Sequence, residues 1–388
     1  MRLQLTSGTP RGFANPPRRI RRSGACAALA AAVLLATSPA APVRAENSVT
    51  VRGAYFREAS TRVIQPVVEI QKDLPNGFEI GAAYLLDAIT SASVAAGTAN
   101  DAIFTELRNA VALGVGKTWN RLHSSIGYSY STESDYWSHN IYGSTAYRFW
   151  GDSATVGASA GISFDGAWPR NRTPNCPGAL TDMVCKLRQY FGSAGYTQVW
   201  TPTFVTYVGA ELEYLDGYQA SLYRAVPNLG FEVVPSTRLR EIATARAAYY
   251  VPSSSTGFQL QYRYYHDSWD IDAHMIEGRV FQSLTRDLEL RASYRYYTQT
   301  PSYFWCDWMA FPGCYGANAT LYTSDPKLQH VHTSMPEVKL TWDAYRLRGV
   351  PFFGWFSEGS FSVSYAYYIQ NTTFGNAHLL QMGYTLPY

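Results

Sequence analysis

A transmembrane antiparallel β-barrel of about sixteen strands is the fold this sequence predicts. Three observations predict it. Apolar and polar residues alternate with period two over long segments, which means strands with two different faces. Aromatic residues make up 15% of the 388-residue chain, with 30 Tyr, and gather toward strand ends, as in interfacial girdles. Short turns alternate with long loops, the connectivity of a barrel with short periplasmic turns and longer external loops.

Composition removes the competing classes. Charged residues are 16% of the chain against a globular norm of about 25%. Mean hydropathy is −0.18, which excludes a helical membrane protein. A disordered chain is poor in aromatics and rich in net charge. A formal charge of +3 excludes a strongly basic nucleic-acid binder, so no nucleic-acid partner is expected.

Residues 1–45 read as a cleaved secretory signal. Arg18, Arg19, Arg21 and Arg22 precede an apolar run from Ala25 to Ala36, and Val43-Arg44-Ala45 provides an A-x-A-like cleavage site. The apolar run is too short to span a bilayer. Cleavage after Ala45 removes seven arginines and no acid, so 25 basic residues remain against 29 acidic ones, a net charge of −4. The remaining residues, 46–388, read as a single barrel domain in the outer membrane of a Gram-negative envelope.

The expected strands are 49–57, 62–73, 78–92, 105–118, 122–133, 135–150, 154–165, 188–200, 203–216, 238–251, 257–268, 273–285, 288–299, 332–345, 359–370 and 377–388. The alternation is clearest late in the chain. Leu288, Leu290, Ala292, Tyr294 and Tyr296 oppose Glu289, Arg291, Ser293, Arg295 and Tyr297. Phe361, Val363, Tyr365, Tyr367 and Ile369 form another apolar face. In the last strand Leu380, Met382, Tyr384, Leu386 and Tyr388 do the same, and an aromatic residue at Tyr388 resembles the signal by which the barrel-assembly machinery takes up such chains. Segments of about ten residues or more are long enough to cross a bilayer at a tilt. Lipid cannot satisfy an open sheet edge, so the sheet must close. Outer-membrane lipid is thus the first expected partner.

Short turns are expected near Pro75-Asn76-Gly77, Asn120-Arg121, Gly151-Asp152, Thr201-Pro202, Pro252 to Gly257 and Arg286-Asp287. Longer loops fall at about 94–104, 166–187, 218–237 and 300–331. Cys26 leaves with the signal, and the other cysteines form two local pairs, Cys176 with Cys185 and Cys306 with Cys314. Both pairs lie in long loops on one predicted side. Exported chains form disulfides, and spacings this short favour local bridges over zinc ligation.

Several stretches carry a family resemblance: VRGAYFRE at Val51–Glu58, YLLDAITSAS at Tyr84–Ser93, YTQVW at Tyr196–Trp200, LEYLDGYQASLYRAV at Leu212–Val226, YRYYHDSWDIDAH at Tyr262–His274, LRASYRYYTQ at Leu290–Gln299 and YTSDPKL at Tyr322–Leu328. The chain resembles the outer-membrane proteins grouped as domain of unknown function 3570. The resemblance implies an envelope or redox setting, with exported redox proteins as possible partners. It brings no functional residues and no cofactor.

If the apolar faces meet lipid, Arg263, Arg279, Arg291 and Arg295 point inward from three consecutive strands, with Glu277 and Glu289 on the same wall. Glu69, Glu79, Asp87, Glu211 and Glu213 point inward elsewhere. A basic wall facing acids would create a transverse field and a selective constriction. The same residues could instead fill a closed interior with ion pairs. The first arrangement implies a passive channel or uptake barrel for small polar solutes. The second implies a non-conducting scaffold for an envelope redox or export partner.

Hydrolytic and metal chemistry have weaker support. No H-x-S-N-G follows Tyr196-Thr197-Gln198 or Tyr297-Thr298-Gln299. His266, Asp267, Asp270, Asp272 and His274 crowd one external hairpin, which reads as a solvated turn. His330 and His332 supply two imidazoles where a metal site needs three or four ligands. No phosphate loop or dinucleotide fingerprint is present. No catalytic residue is assigned.

Overall fold

The computed structural model describes residues 47–59, 61–92, 103–168, 184–221, 225–226, 229–307, 311, 313–315 and 319–388. The predicted signal segment, Glu46 and Cys176 lie outside the described residues.

Sixteen strands close into one antiparallel barrel. The first half comprises β1 (Ser48–Arg57), β2 (Thr61–Asp73), β3 (Phe78–Ala92), β4 (Ile103–Trp119), β5 (Leu122–Thr132), β6 (Tyr136–Phe149), β7 (Ala154–Ala167), β8 (Cys185–Thr201) and β9 (Phe204–Gly217). Two short strands, β10 (Ala225–Val226) and β11 (Gly230–Phe231), pair with each other in the loop after β9. The barrel resumes with β12 (Thr237–Val251), β13 (Thr256–Asp267), β14 (Asp272–Ser283), β15 (Leu288–Gln299), β16 (Val331–Asp343), β17 (Ser360–Gln370) and β18 (Ala377–Pro387). The first and last strands close the sheet, with Val51 opposite Tyr384 and Tyr55 opposite Leu380. The Tyr388 amide donates to the Asn47 carbonyl at 2.8 Å. Among the described residues, no helix is long and apolar enough to cross a membrane.

The barrel is built inside out relative to a soluble protein. Large apolar side chains point outward and stay uncovered, as at Ile126 (61% exposed) and Met382 (60%). In lipid that exposure is favourable, because the outward band meets hydrocarbon while the closed sheet pairs its backbone groups internally. Buried apolar residues form small interior clusters instead, such as Met335, Ala366, Tyr368, Ala377 and Leu379 near the loop end.

The two ends of the barrel differ. At one end lie the start of β1, the end of β18 and tight turns such as Pro75–Gly77 and Pro252–Ser254. The other end carries the long loops. Three details interrupt the regular pattern. β8 begins at Cys185, so this residue opens a strand opposite Ala167 instead of sitting in a loop. A bulge interrupts the β8–β9 register between Val199 and Thr201. The β16–β17 connection is no tight turn: it contains 3-10 segments at Ala344–Gly349 and Gly354–Phe356.

Candidate functional site

The interior wall formed by β9 and β12–β16 gathers most of the predicted charged residues. Strand alternation places Arg263, Arg279, Arg291 and Arg295 on its inner face, since their neighbours Leu260, Tyr262, Val280 and Tyr294 face outward and exposed. Each of these arginines meets a carboxylate. Arg263 Nη2 donates to Glu211 at 2.9 Å. Arg279 Nε donates to Glu277 at 2.9 Å, and Arg295 Nη2 donates to the other oxygen of Glu277 at 3.2 Å. Arg291 Nη2 donates to Glu337 at 2.7 Å, and the Ser293 hydroxyl donates to the same carboxylate at 3.1 Å. Glu213 accepts from Arg240 at 2.8 Å. Glu289 lies on this face opposite Thr341 and makes no ion pair among the described residues.

The expected basic wall facing a distant acidic wall is therefore corrected. Glu211 and Glu213 stand on the same wall as the arginines. The other acids have partners on nearby strands: Glu69 pairs with Arg52, Asp87 lies 3.5 Å from Arg108, and Glu79 lies 3.3 Å from the His123 ring. The cause is reach. Diagonal neighbours on adjacent strands are close enough for long side chains to meet. Opposite walls of a barrel this wide are not, so local pairing wins.

Sequence reasoning missed several members of this network. Arg238, Arg240, Arg246, Glu337 and Lys339 also sit on the inner face. Their signal is the same alternation. In β12 it is weak, because the outward face reads Leu239, Glu241, Ala243, Ala245 and Ala247, and alanines with a glutamate contrast poorly with a polar face. Arg246 lies over the Tyr207 ring, 5.2 Å from its centroid.

The wall of β5–β8 is different. Hydroxyls pair across it: Ser125 with Ser144 at 2.8 Å, Ser138 with Ser163 at 3.1 Å and Ser159 with Ser193 at 2.7 Å. Phe191 lies flat along the sheet, so a side chain at Gly161 would come within 2.3 Å of its ring.

Part of the loop end is covered by a packed layer of described loop residues. Asp267 is fully buried and accepts from Arg238 Nε at 2.8 Å and from the Trp269 and Ile271 amides at 2.9 and 3.2 Å. The Arg238 guanidinium stacks over Trp269 at 4.0 Å, and Trp269 meets Phe304 edge-on at 5.0 Å. The 218–236 and 300–330 loops are joined where Val233 and Tyr322 exchange backbone bonds of 3.0 and 2.9 Å. Nearby the Thr323 hydroxyl donates to Glu232 at 2.6 Å. Cys306 and Cys314 form the expected disulfide within this layer, and Cys185 is disulfide-bonded as well.

The hairpin suspected of catalysis divides between two faces. Asp267 turns inward as a structural anchor, whereas His266 and Asp272 pair on the outward side at 3.1 Å. The His330 and His332 rings are 6.0 Å apart and both residues are exposed. Among the described residues, the one group of three close carboxylates is Glu106, Glu133 and Asp135, buried at the loop end within 4.8 Å of one another. There Glu106 accepts from the Ser134 amide at 2.9 Å. Glu133 and Asp135 fall in the tight turn between β5 and β6.

A closed antiparallel barrel with an apolar outer band and an ionic interior defines an outer-membrane-type β-barrel protein. The chain belongs to the family described as protein of unknown function (DUF3570), which it matches over residues 94–383. That is the family its sequence motifs resemble. No curated protein matches it. Among solved structures it is similar to one described as a bacterial polysaccharide outer membrane secretin, with 9% identity and a TM-score of 0.50 over 88% of this chain and 98% of that one. It is also similar to Pseudomonas aeruginosa OccK1 (OpdK), at 8% identity and TM-score 0.43 over 88% and 98% of the two chains. A BenF-like porin from Pseudomonas fluorescens has 8% identity and TM-score 0.44 over the same shares. At these identities the likeness describes the fold, and function rests on the site.

Proposed function

We propose that the protein is a passive channel for small polar solutes in the outer membrane of a Gram-negative envelope. The carrying observation is the partial exposure of the interior arginines: the side chains of Arg263, Arg279, Arg291 and Arg295 are each between 23% and 30% exposed despite their carboxylate partners. Water that reaches these groups needs a lumen, and a barrel this wide leaves one unless loops fill it. Paired charges of both signs suit a polar or zwitterionic solute better than a single-sign ion filter. Planar-bilayer recording with verified folded protein tests the proposal. Discrete conductance steps support it, and bilayers that stay silent even after the Cys306–Cys314 bridge is reduced overturn it.

A second reading has its own observation. The packed layer around Asp267, Trp269, Phe304 and Thr323 covers part of the loop end with fully or nearly fully buried groups. That layer favours a non-conducting scaffold, with an envelope redox or export protein as its partner. Silence in bilayers that persists after the Cys306–Cys314 bridge is reduced supports this alternative. Conductance gained on reduction supports a gated channel.

A further inference from the structure

The connection between β16 and β17 stands apart from the tight turns beside it. It does not hang below the lumen. It folds back against the outer, lipid-facing side of the wall. The Ala344 amide donates to the Gly359 carbonyl at 2.9 Å, which closes the base of the excursion. The Phe356 ring packs on Phe361 at 5.7 Å and on Tyr384 at 5.3 Å, and the Tyr384 hydroxyl donates to the Phe356 carbonyl at 3.1 Å. Phe361 and Tyr384 face outward in the barrel register, opposite each other on β17 and β18. The same ring leaves no room for a side chain at Gly359, where a Cβ would come within 2.4 Å of the Tyr384 hydroxyl.

Two features of this segment ask for an apolar neighbour. Its free face is aromatic and uncovered, with Phe352 92% and Trp355 66% exposed, and Phe353 and Tyr345 exposed beside them. Behind it lies a cavity of about 490 Å³ lined by Trp342, Leu347, Phe353, Phe356 and Phe361, with no polar side chain among them. Trp342 and Phe361 belong to the outward band, so the cavity is continuous with the surface that the barrel presents to hydrocarbon. Arg348 is exposed on the same segment and lies 3.7 Å from the exposed Glu358, a paired charged rim of the kind that suits the headgroup level of a leaflet.

We propose that residues 344–359 form a foot lying in the inner leaflet of the outer membrane, and that the cavity behind it takes one acyl chain of a glycerophospholipid. The chemistry favours lipid over a soluble partner. Interfacial segments bury aromatic and aliphatic side chains at the headgroup boundary and keep cationic side chains at the rim. A protein-docking patch needs polar groups for register, and the cavity wall offers none. The inference goes beyond the channel reading and is independent of it: a silent barrel would leave the foot standing, and a dry foot would leave the channel standing.

The test uses the full folded barrel in phosphatidylcholine–phosphatidylethanolamine vesicles. A Phe352→Cys thiol carries an environment-sensitive fluorophore, and Ser253→Cys, exposed in the β12–β13 turn at the same end of the barrel, serves as the aqueous control. The expected result is loss of Phe352→Cys label emission with brominated acyl chains and little loss with aqueous iodide, the reverse of the control. Iodide quenching at both sites without bromine quenching overturns the foot. The cavity has a separate readout. Native mass spectra of detergent-purified barrel should show a bound phospholipid in the parent protein that is lost in Leu347→Trp, or in the milder Leu347→Phe if the first fails to fold. Equal lipid retention in a folded cavity-filling variant overturns the acyl-chain assignment.

Discussion

Arg263 on β13 and Glu211 on β9 form a 2.9 Å ion pair across the whole width of β12. Thr244 lies between them, opposite both Arg263 and Gly209 in the register, and its small side chain lets the guanidinium pass over. Such a pair is worth little if water reaches it and much if it is sealed. Glu211→Gln should therefore cost no more than about 1 kcal/mol in a wet lumen. Denaturant unfolding in micelles measures it. A loss of about 3 kcal/mol or more would mean a dry, filled interior.

Asp267 provides the internal contrast. It is fully buried, and its partner Arg238 is nearly so. Asp267→Asn keeps the shape and can still accept from the Trp269 amide, but it leaves the guanidinium buried without a counter-charge. Breaking one side of a buried pair costs about 3–5 kcal/mol. The loop layer should loosen while the barrel survives. Hydrogen exchange should rise at 268–271 and 300–307, with resistance of the unboiled protein to detergent retained. Unchanged protection at 268–271 would refute the anchoring role.

Arg291 and Arg295 set the expected ion preference. Replacing both with glutamine removes two positive charges and leaves Glu337 without its guanidinium partner, while Glu277 keeps Arg279. The interior becomes more negative, so the reversal potential should move toward cations. Lumenal substitutions tune selectivity with little effect on assembly. The shift should shrink in concentrated salt, where screening shortens to about 3 Å at 1 M. A conductance indifferent to both changes would place the constriction elsewhere, for instance beside Glu213 and Arg240.

The strands were legible because lipid enforces a strict period of two. β15 runs from Leu288 to Gln299, the bounds that alternation alone predicts. The pairing of the site was not legible. Arg263 and Glu211 are separated by 52 residues, and only the register of three strands brings them together. A side-chain face can be read from sequence, but the choice between a cross-lumen field and a neighbouring ion pair depends on distances that the sequence does not contain. The foot was hidden for another reason. Gly349, Pro351 and Gly354 are residue types that form turns, and Phe356 just beyond them acquires meaning only by docking on Phe361 and Tyr384.

Asp287 ties the foot to the neighbouring turn. It accepts from Arg346 at 2.7 Å, from the Trp342 indole at 3.1 Å and from Thr285 at 2.8 Å. Burial pushes its carboxyl up, but the bonds from Thr285, Trp342 and Arg346 outweigh burial and hold it below the usual carboxylate range. A depressed folded value means that the stabilisation is present above the unfolded value of about 3.9 and is lost as pH falls through the folded one. Hydrogen exchange across 344–359, corrected for intrinsic rates, should be flat from neutral pH to about pH 5 and accelerate only below about pH 4. Asp287→Asn should show the loosened state at neutral pH and lose the acid step. An acid step that survives in Asp287→Asn would assign it to another group.

Neighbouring residues on one strand should respond oppositely to the same new charge. Val363 faces outward, exposed between Leu340 and Met382 of the flanking strands. Ser362 faces the lumen between Thr341 and Gly383. An arginine on the lipid face costs about 2–4 kcal/mol near the midplane, because hydrocarbon cannot solvate it. Val363→Arg should therefore lower the yield of folded barrel and its unfolding free energy in bilayers. Ser362→Arg should fold like the parent, since water and Ser364 share its face, and should move the reversal potential toward anions. The introduced side chain and the strand are the same in both variants, so the medium on each side of the sheet is the main variable. Equal losses for both variants would mean that the interior at this height is as dry as the lipid face, and the channel reading would fail at β17.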